Sequence, residues 1–132
     1  MNTQKLWISL FLLFALLSGC GLETKTLPEF YETDLDDITK IQILDGSTGY
    51  KKVINDKKVI EDFLGEIKKI KFIPEENQED RIGFRYTIAF FEGEKITFSF
   101  TLNKVRDNYY YTDPDIHPIV DDFYKKLEAK EE

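Results

Sequence analysis

From Phe84 onward the chain alternates strictly. Phe84, Tyr86, Ile88 and Phe90 are interleaved with Arg85, Thr87 and Ala89, and after Glu92-Gly93-Glu94 the alternation resumes at Ile96, Phe98, Phe100 and Leu102. Period two on both sides of a glycine-containing turn predicts a β-hairpin with one buried face. Upstream, Ile38–Leu44 and Tyr50–Ile54 read as two strands joined by the turn cluster Asp45-Gly46-Ser47-Thr48-Gly49. Asn55 or Asp56 is placed to cap a helix running to about Lys69, with Ile60, Phe63, Leu64 and Ile67 as its buried stripe. Gly65 inside that helix costs about 1 kcal/mol against Ala, a cost that close approach to a sheet would explain.

Ile70–Ile73 reads as a short strand stopped by Pro74, and Glu75–Arg81 as a polar loop. After the hairpin, Asn103–Asn108 turns, with Val105 available to extend the strand, and Tyr109-Tyr110-Tyr111 forms another strand. A last helix begins with Pro118 at its first position and buries Ile119, Val120, Phe123 and Leu127. The predicted order is ββαββββα. The expected fold is α+β: an antiparallel sheet with two helices on the face carrying Phe84, Tyr86, Ile88, Phe90, Phe98 and Phe100. The other face, with Arg85, Thr87, Thr97, Ser99 and Thr101, is expected to meet water or a partner.

The first residues carry a different pattern. Met1–Lys5 is polar with one cation, and Leu6–Leu17 is apolar except for Ser9. That run is shorter than the roughly 20 residues needed to span a bilayer, and its length suits the apolar core of a signal peptide. Leu17-Ser18-Gly19-Cys20 follows directly, and Cys20 is the single cysteine of the chain. This segment resembles the lipobox of bacterial lipoprotein precursors. The resemblance covers residues 1–21. It implies a diacylglyceryl group on the Cys20 thiol, signal-peptidase recognition through Leu17, Ser18 and Gly19, cleavage before Cys20, and a location on the outer face of the cell membrane. No twin-Arg pair precedes the apolar core, so the general export route is expected.

The organisation expected from these patterns is a cleaved signal peptide at 1–19, the lipidated Cys20 and an acidic tether at 20–37, one α+β domain at 38–129 and a frayed tail at 130–132. A flexible tether of that length spans roughly 20–25 Å. Phe30, Tyr31 and Leu35 are apolar enough for its far end to dock on the domain.

Composition narrows the partners. Removing 1–19 from 132 residues leaves 113, which suits one core. All 25 Asp and Glu and 17 of the 18 Lys and Arg lie past the cut, a balance of −8. An acidic chain argues against nucleic acid as a partner, and the charge is spread along the sequence as a solvated surface would have it. With Cys20 committed to lipid, no thiol remains for a disulfide, and stability rests on burial. The bias toward Lys, Ile, Glu, Asp, Phe and Tyr is that of low-GC Gram-positive proteins. In size and layout the chain resembles the many small lipoproteins of Bacillus-like bacteria.

Catalytic signatures are sparse. His117 is the one histidine, and neither Ser47 nor Ser99 sits in a nucleophile motif. One His and a lipidated Cys leave no zinc set. The spacing of Asp113, Asp115, Asp121 and Asp122 matches no calcium loop and suits a helix N-terminus instead. Gly46 and Gly49 lack the lysine of a phosphate loop. No catalytic residue, metal or cofactor is therefore expected. The candidate binding surface is Tyr109, Tyr110 and Tyr111 with Arg85, set against the simpler expectation of core filling and a solvated sheet face. The expected function is a non-enzymatic interaction domain, with a lipid anchor in the membrane and an envelope or membrane protein as partner. The alternatives are a carboxylate-dependent hydrolase of envelope polymers and a modulator of a neighbouring membrane protein.

Overall fold

The computed structural model describes residues 21–81 and 83–127. The expected signal peptide, with Leu17, Ser18 and Gly19, Cys20, the last two residues of the expected domain and the whole expected tail at 130–132 lie outside the described residues. The described chain is mixed α+β and mostly sheet. It runs through a short helix α1 (Leu27–Phe30), a 3-10 turn (Leu35–Asp37), strands β1 (Lys40–Asp45) and β2 (Lys51–Ile54), helix α2 (Lys57–Ile67), strands β3 (Lys71–Pro74), β4 (Tyr86–Glu92), β5 (Lys95–Thr101), β6 (Lys104–Val105) and β7 (Asn108–Asp113), and helix α3 (Ile116–Lys126).

The seven strands form one open antiparallel sheet in the order β2-β1-β4-β5-β6-β7-β3. The predicted order therefore changes in two places. A helix precedes the first strand, and Lys104-Val105 is a separate strand that returns through a tight turn at Arg106 and Asp107, both with positive φ. The helix caps follow their side chains. Asp56 accepts from the amides of Lys58 and Val59, and Asp115 accepts from that of His117. The last helix thus begins two residues before Pro118. Pro118 still falls in the first turn, where amides have no helical partner.

One face of the sheet and all three helices share a single core. Ile41, Ile43, Tyr86, Ile88, Phe90, Phe98 and Phe100 face Ile60, Phe63 and Ile67 of α2, Ile116, Val120 and Tyr124 of α3, and Leu27 and Phe30 of α1. Phe63 and Phe123 join the two longer helices edge to face, with centroids 4.9 Å apart.

Two expectations about the hairpin are corrected. Phe84 lies before β4 and is 45% exposed. Ile96 is 54% exposed because the pairing slips: Phe90 pairs with Phe98, but Phe91 pairs with Ile96. Thr97 is the extra residue of this bulge, and beyond it every side chain changes face. Ile96 moves to the outer face with Phe91. Thr97 moves inward and hydrogen-bonds the Tyr31 hydroxyl, which also donates to Glu92 at 2.7 Å. The outer face keeps Thr87, Ser99 and Thr101, but it also buries Ala89 and Phe91, with the Lys40 ammonium 4.1 Å above the Phe91 ring.

The expected docking of Phe30, Tyr31 and Leu35 on the domain is made, and the ordered segment extends further back than expected. Lys25 exchanges both backbone hydrogen bonds with Phe72 on the outer edge of β3, at 3.0 and 2.7 Å. The Glu29 carboxylate accepts from the amide and hydroxyl of Thr26, and Pro28 sits in the first turn of α1. Leu27 is fully buried, and Phe30 and Tyr31 are nearly so. Phe30 meets Phe72 and Tyr110 edge to face at 5.8 and 5.6 Å. Arg106 donates to the Phe30 carbonyl at 2.7 Å. The folded domain therefore begins at Lys25 rather than at Ile38.

Leu27→Ala should accordingly cost about 2–5 kcal/mol, the range for emptying a buried leucine site. Chemical denaturation of the full chain measures it, and a change near zero would return residues 25–31 to the tether.

Candidate functional site

The candidate site lies where β4 begins and where β5 and β7 end. Its first component is Gly46, just past β1. A Cβ there would lie 2.3 Å from the Phe84 carbonyl and 2.9 Å from its ring. Only glycine lets the segment before β4 pass this close, and the Gly46 amide donates to the Arg85 carbonyl at 2.6 Å. Phe84 is thereby held at the surface beside Arg85.

Asp45, the last residue of β1, is 4% exposed. Its carboxylate accepts from the amide and hydroxyl of Ser47, at 2.9 and 2.7 Å, and lies 3.5 Å from Arg85 Nε. Burial pushes its pKa up, but these hydrogen bonds and the guanidinium outweigh burial and hold it below the ordinary value. Across the guanidinium, Arg85 Nη2 lies 3.8 Å from Asp121 of α3 and 3.4 Å from the Tyr86 hydroxyl. The Tyr86 hydroxyl donates to Asp121, which also pairs with Lys125 at 2.8 Å. Lys125, then Tyr86, draw the Asp121 carboxyl down to about 2. Burial, followed by the hydrogen bond to Asp121, pushes the Tyr86 phenol up. Arg85 thus joins β1 to α3 on the helix side of the sheet, and it does not lie on the outer face as its alternation suggests. Its side chain is 45% exposed, and its fork keeps N–H donors toward solvent.

Beside Arg85 runs an open groove of about 450 Å³, lined by Phe84, Tyr110, Tyr111, Asn103, Thr112 and His117 among others. The structure separates the three candidate tyrosines. Tyr110 is buried among Phe30 and Phe72. Tyr109 is buried beneath the 75–81 loop, where its hydroxyl accepts from the Arg81 amide at 2.8 Å. Tyr111 alone is exposed, at 54%, and it shares the groove with Arg85. Alternation along β7 separates Tyr110, which faces the core, from Tyr109 and Tyr111, and the 75–81 loop then covers Tyr109. Phe84, Asp45 and Asp121 escaped the candidate set. Their role depends on contacts between β1, β4 and α3 that no local spacing reveals.

A second, larger groove of about 860 Å³ runs between the 3-10 turn and α2. Gly65 lines it, and a Cβ there would meet nothing within 4 Å. The expected close approach of Gly65 to the sheet is therefore not made.

Among the described residues, no three His, Cys, Asp or Glu side chains converge as a metal site requires, and no helix is long and apolar enough to cross a membrane. Comparison with protein families, curated proteins and solved structures finds no match to this chain.

The Asp121 pKa has a signed consequence. A carboxyl depressed in the folded state contributes stability above its unfolded value, about 3.9, and loses it as pH falls toward about 2. Asp121→Asn should therefore flatten the loss of stability between about pH 4 and 2. Denaturation midpoints across that range measure it, and an unchanged acid limb would contradict the pairing.

Proposed function

We propose that this chain is a lipoprotein precursor, exported and anchored through Cys20. Its folded part is a non-enzymatic binding domain at the cell envelope, with a membrane or envelope protein as partner. The anchor rests on Leu17-Ser18-Gly19-Cys20 behind a short apolar run. The observation that carries the binding function is the groove, whose lining brings exposed Phe84 and Tyr111 together with the half-exposed guanidinium of Arg85. Aromatic rings and a planar cation along one groove suit a protein segment that offers an apolar side chain next to a carboxylate.

The hydrolase alternative needs one carboxyl kept protonated to act as general acid. The two carboxyls that Arg85 joins are both held below their ordinary values. That chemistry suits ion pairing and hydrogen bonding, and it favours the binding reading over proton donation.

In intact cells, a photo-cross-linker at Phe84 or Tyr111 of the full chain should give one discrete protein adduct. Arg85→Ala should weaken that adduct, and the same cross-linker at Lys51, on the far edge of the sheet, should not give it. Equal adducts from all three positions, or none, would contradict the site. Separately, Cys20→Ala should abolish lipid labelling and processing, and unchanged mass and membrane retention would refute the anchor.

A further inference from the structure

We propose that the groove beside Arg85 takes its partner segment in extended form, as an added β-strand hydrogen-bonded to the free edge of β7 at Thr112. This deepens the binding reading of that groove and rests on it. The free edge follows from the register. Phe72 exchanges both of its backbone hydrogen bonds with Lys25, on the outer side of β3. Its neighbours Lys71 and Ile73 therefore turn theirs toward β7, onto Asp113 and Tyr111. Thr112 stands opposite Phe72, so its amide and carbonyl point away from β3, as do those of Tyr110.

On that side β6 is too short to meet them. It has two residues and pairs with Asn108 and Tyr109. The Tyr110 amide still reaches the Asn103 carbonyl at 2.8 Å. There the neighbouring chain turns away through Leu102, because Lys104 pairs with Thr101. Among the described residues, the Thr112 amide, the Thr112 carbonyl and the Tyr110 carbonyl have no hydrogen-bond partner. Thr112 and Tyr110 line the groove with the turn residues Leu102 and Asn103 and with Phe84 and Arg85.

Elsewhere the fold closes β7 even where a strand runs out. Beyond Pro74, the Gln78 side-chain amide stands in for β3. Its Oε1 accepts from the Tyr109 amide at 2.8 Å, and its Nε2 donates to the Tyr109 carbonyl at 2.9 Å. Thr112 receives no such substitute. Its hydroxyl accepts from the Ile116 amide and holds the start of α3, which leaves its main chain as the open group. An unpaired amide and carbonyl on a strand edge are a template for another strand. Strand addition draws affinity from the main chain and specificity from alternate side chains. A strand about 4.8 Å from β7 would send successive side chains to the outer face, with Tyr111, and to the helix side, with Arg85.

A random heptapeptide library displayed on phage supplies the probe, selected against the full chain in detergent micelles. Peptides whose binding falls with Arg85→Ala are synthesised with a single N-methyl group moved along the backbone. Methylation of amides that face β7 should weaken binding about ten-fold or more, the loss of one hydrogen bond to a group left unpaired. Methylation of the intervening amides should leave binding within about two-fold, so that the effect alternates along the peptide. The Thr112 amide should exchange freely in the unbound chain, beside slow Tyr111 and Asp113, and gain protection with the peptide. An Arg85-dependent peptide with no alternation, or with Thr112 still unprotected, would overturn strand addition and leave the groove reading intact. A Thr112 amide already protected in the unbound chain, by the chain itself or by a second copy, would also overturn it. The absence of any Arg85-dependent peptide would overturn both readings.

Discussion

The structure depends on one piece of burial: Leu27, Phe30 and Tyr31 packed against the sheet. Phe30 sits between Phe72 of β3 and Tyr110 of β7 and stacks near Phe98 of β5. It therefore ties together strands that are far apart in sequence. Tyr31 reaches further along the sheet, to Phe90 and to the bulge at Thr97. Removing this segment would uncover the aromatic face of half the sheet and leave the β3 edge without its backbone partner. It would also strip the Arg106 turn of the carbonyl it holds. A chain without disulfides has only such packing to hold its sheet closed on its helices.

Much of this fold was legible because burial imposes a period. The α2 stripe of Ile60, Phe63, Leu64 and Ile67 is buried as its spacing predicts. The β4–β5 hairpin turns at Gly93, whose positive φ explains the glycine. Legibility failed where geometry changes without a change of pattern. Ile96, Phe98 and Phe100 alternate without a break, so nothing marks the bulge that turns Ile96 outward. A helix of four residues has no period to detect. The signal that was present near it, Thr26-x-x-Glu29 with Pro28 in the first turn, is a helix-start signature. The acidic residues around it gave the look of a solvated tether.

The groove shows the same division. Tyr111 and Arg85 stand out as residue types, but which tyrosine faces outward depends on the register of β7. Asp45 looks like a turn residue beside Gly46, and it is one, through Ser47. Its burial, and its link through Arg85 to Asp121, follow from α3 packing over the start of β4. Gly46 and Gly65 make the contrast plainest. One is required by a backbone contact and the other faces open space, although both are glycines between ordered elements.

Folding of the N-terminal segment also changes the meaning of the sequence before it. Only Gly21, Leu22, Glu23 and Thr24 lie between Lys25 and the proposed lipidation site, so the proposed tether is four residues long rather than the longer one expected. The most direct measurement is native-state amide hydrogen exchange on the full chain. The amides of Lys25, Phe30, Tyr31 and Phe72, each hydrogen-bonded within the fold, should be protected to the same order as those of central strand β4. Exchange of Lys25, Phe30 and Tyr31 at the rate of an unstructured chain, with β4 still protected, would contradict the account.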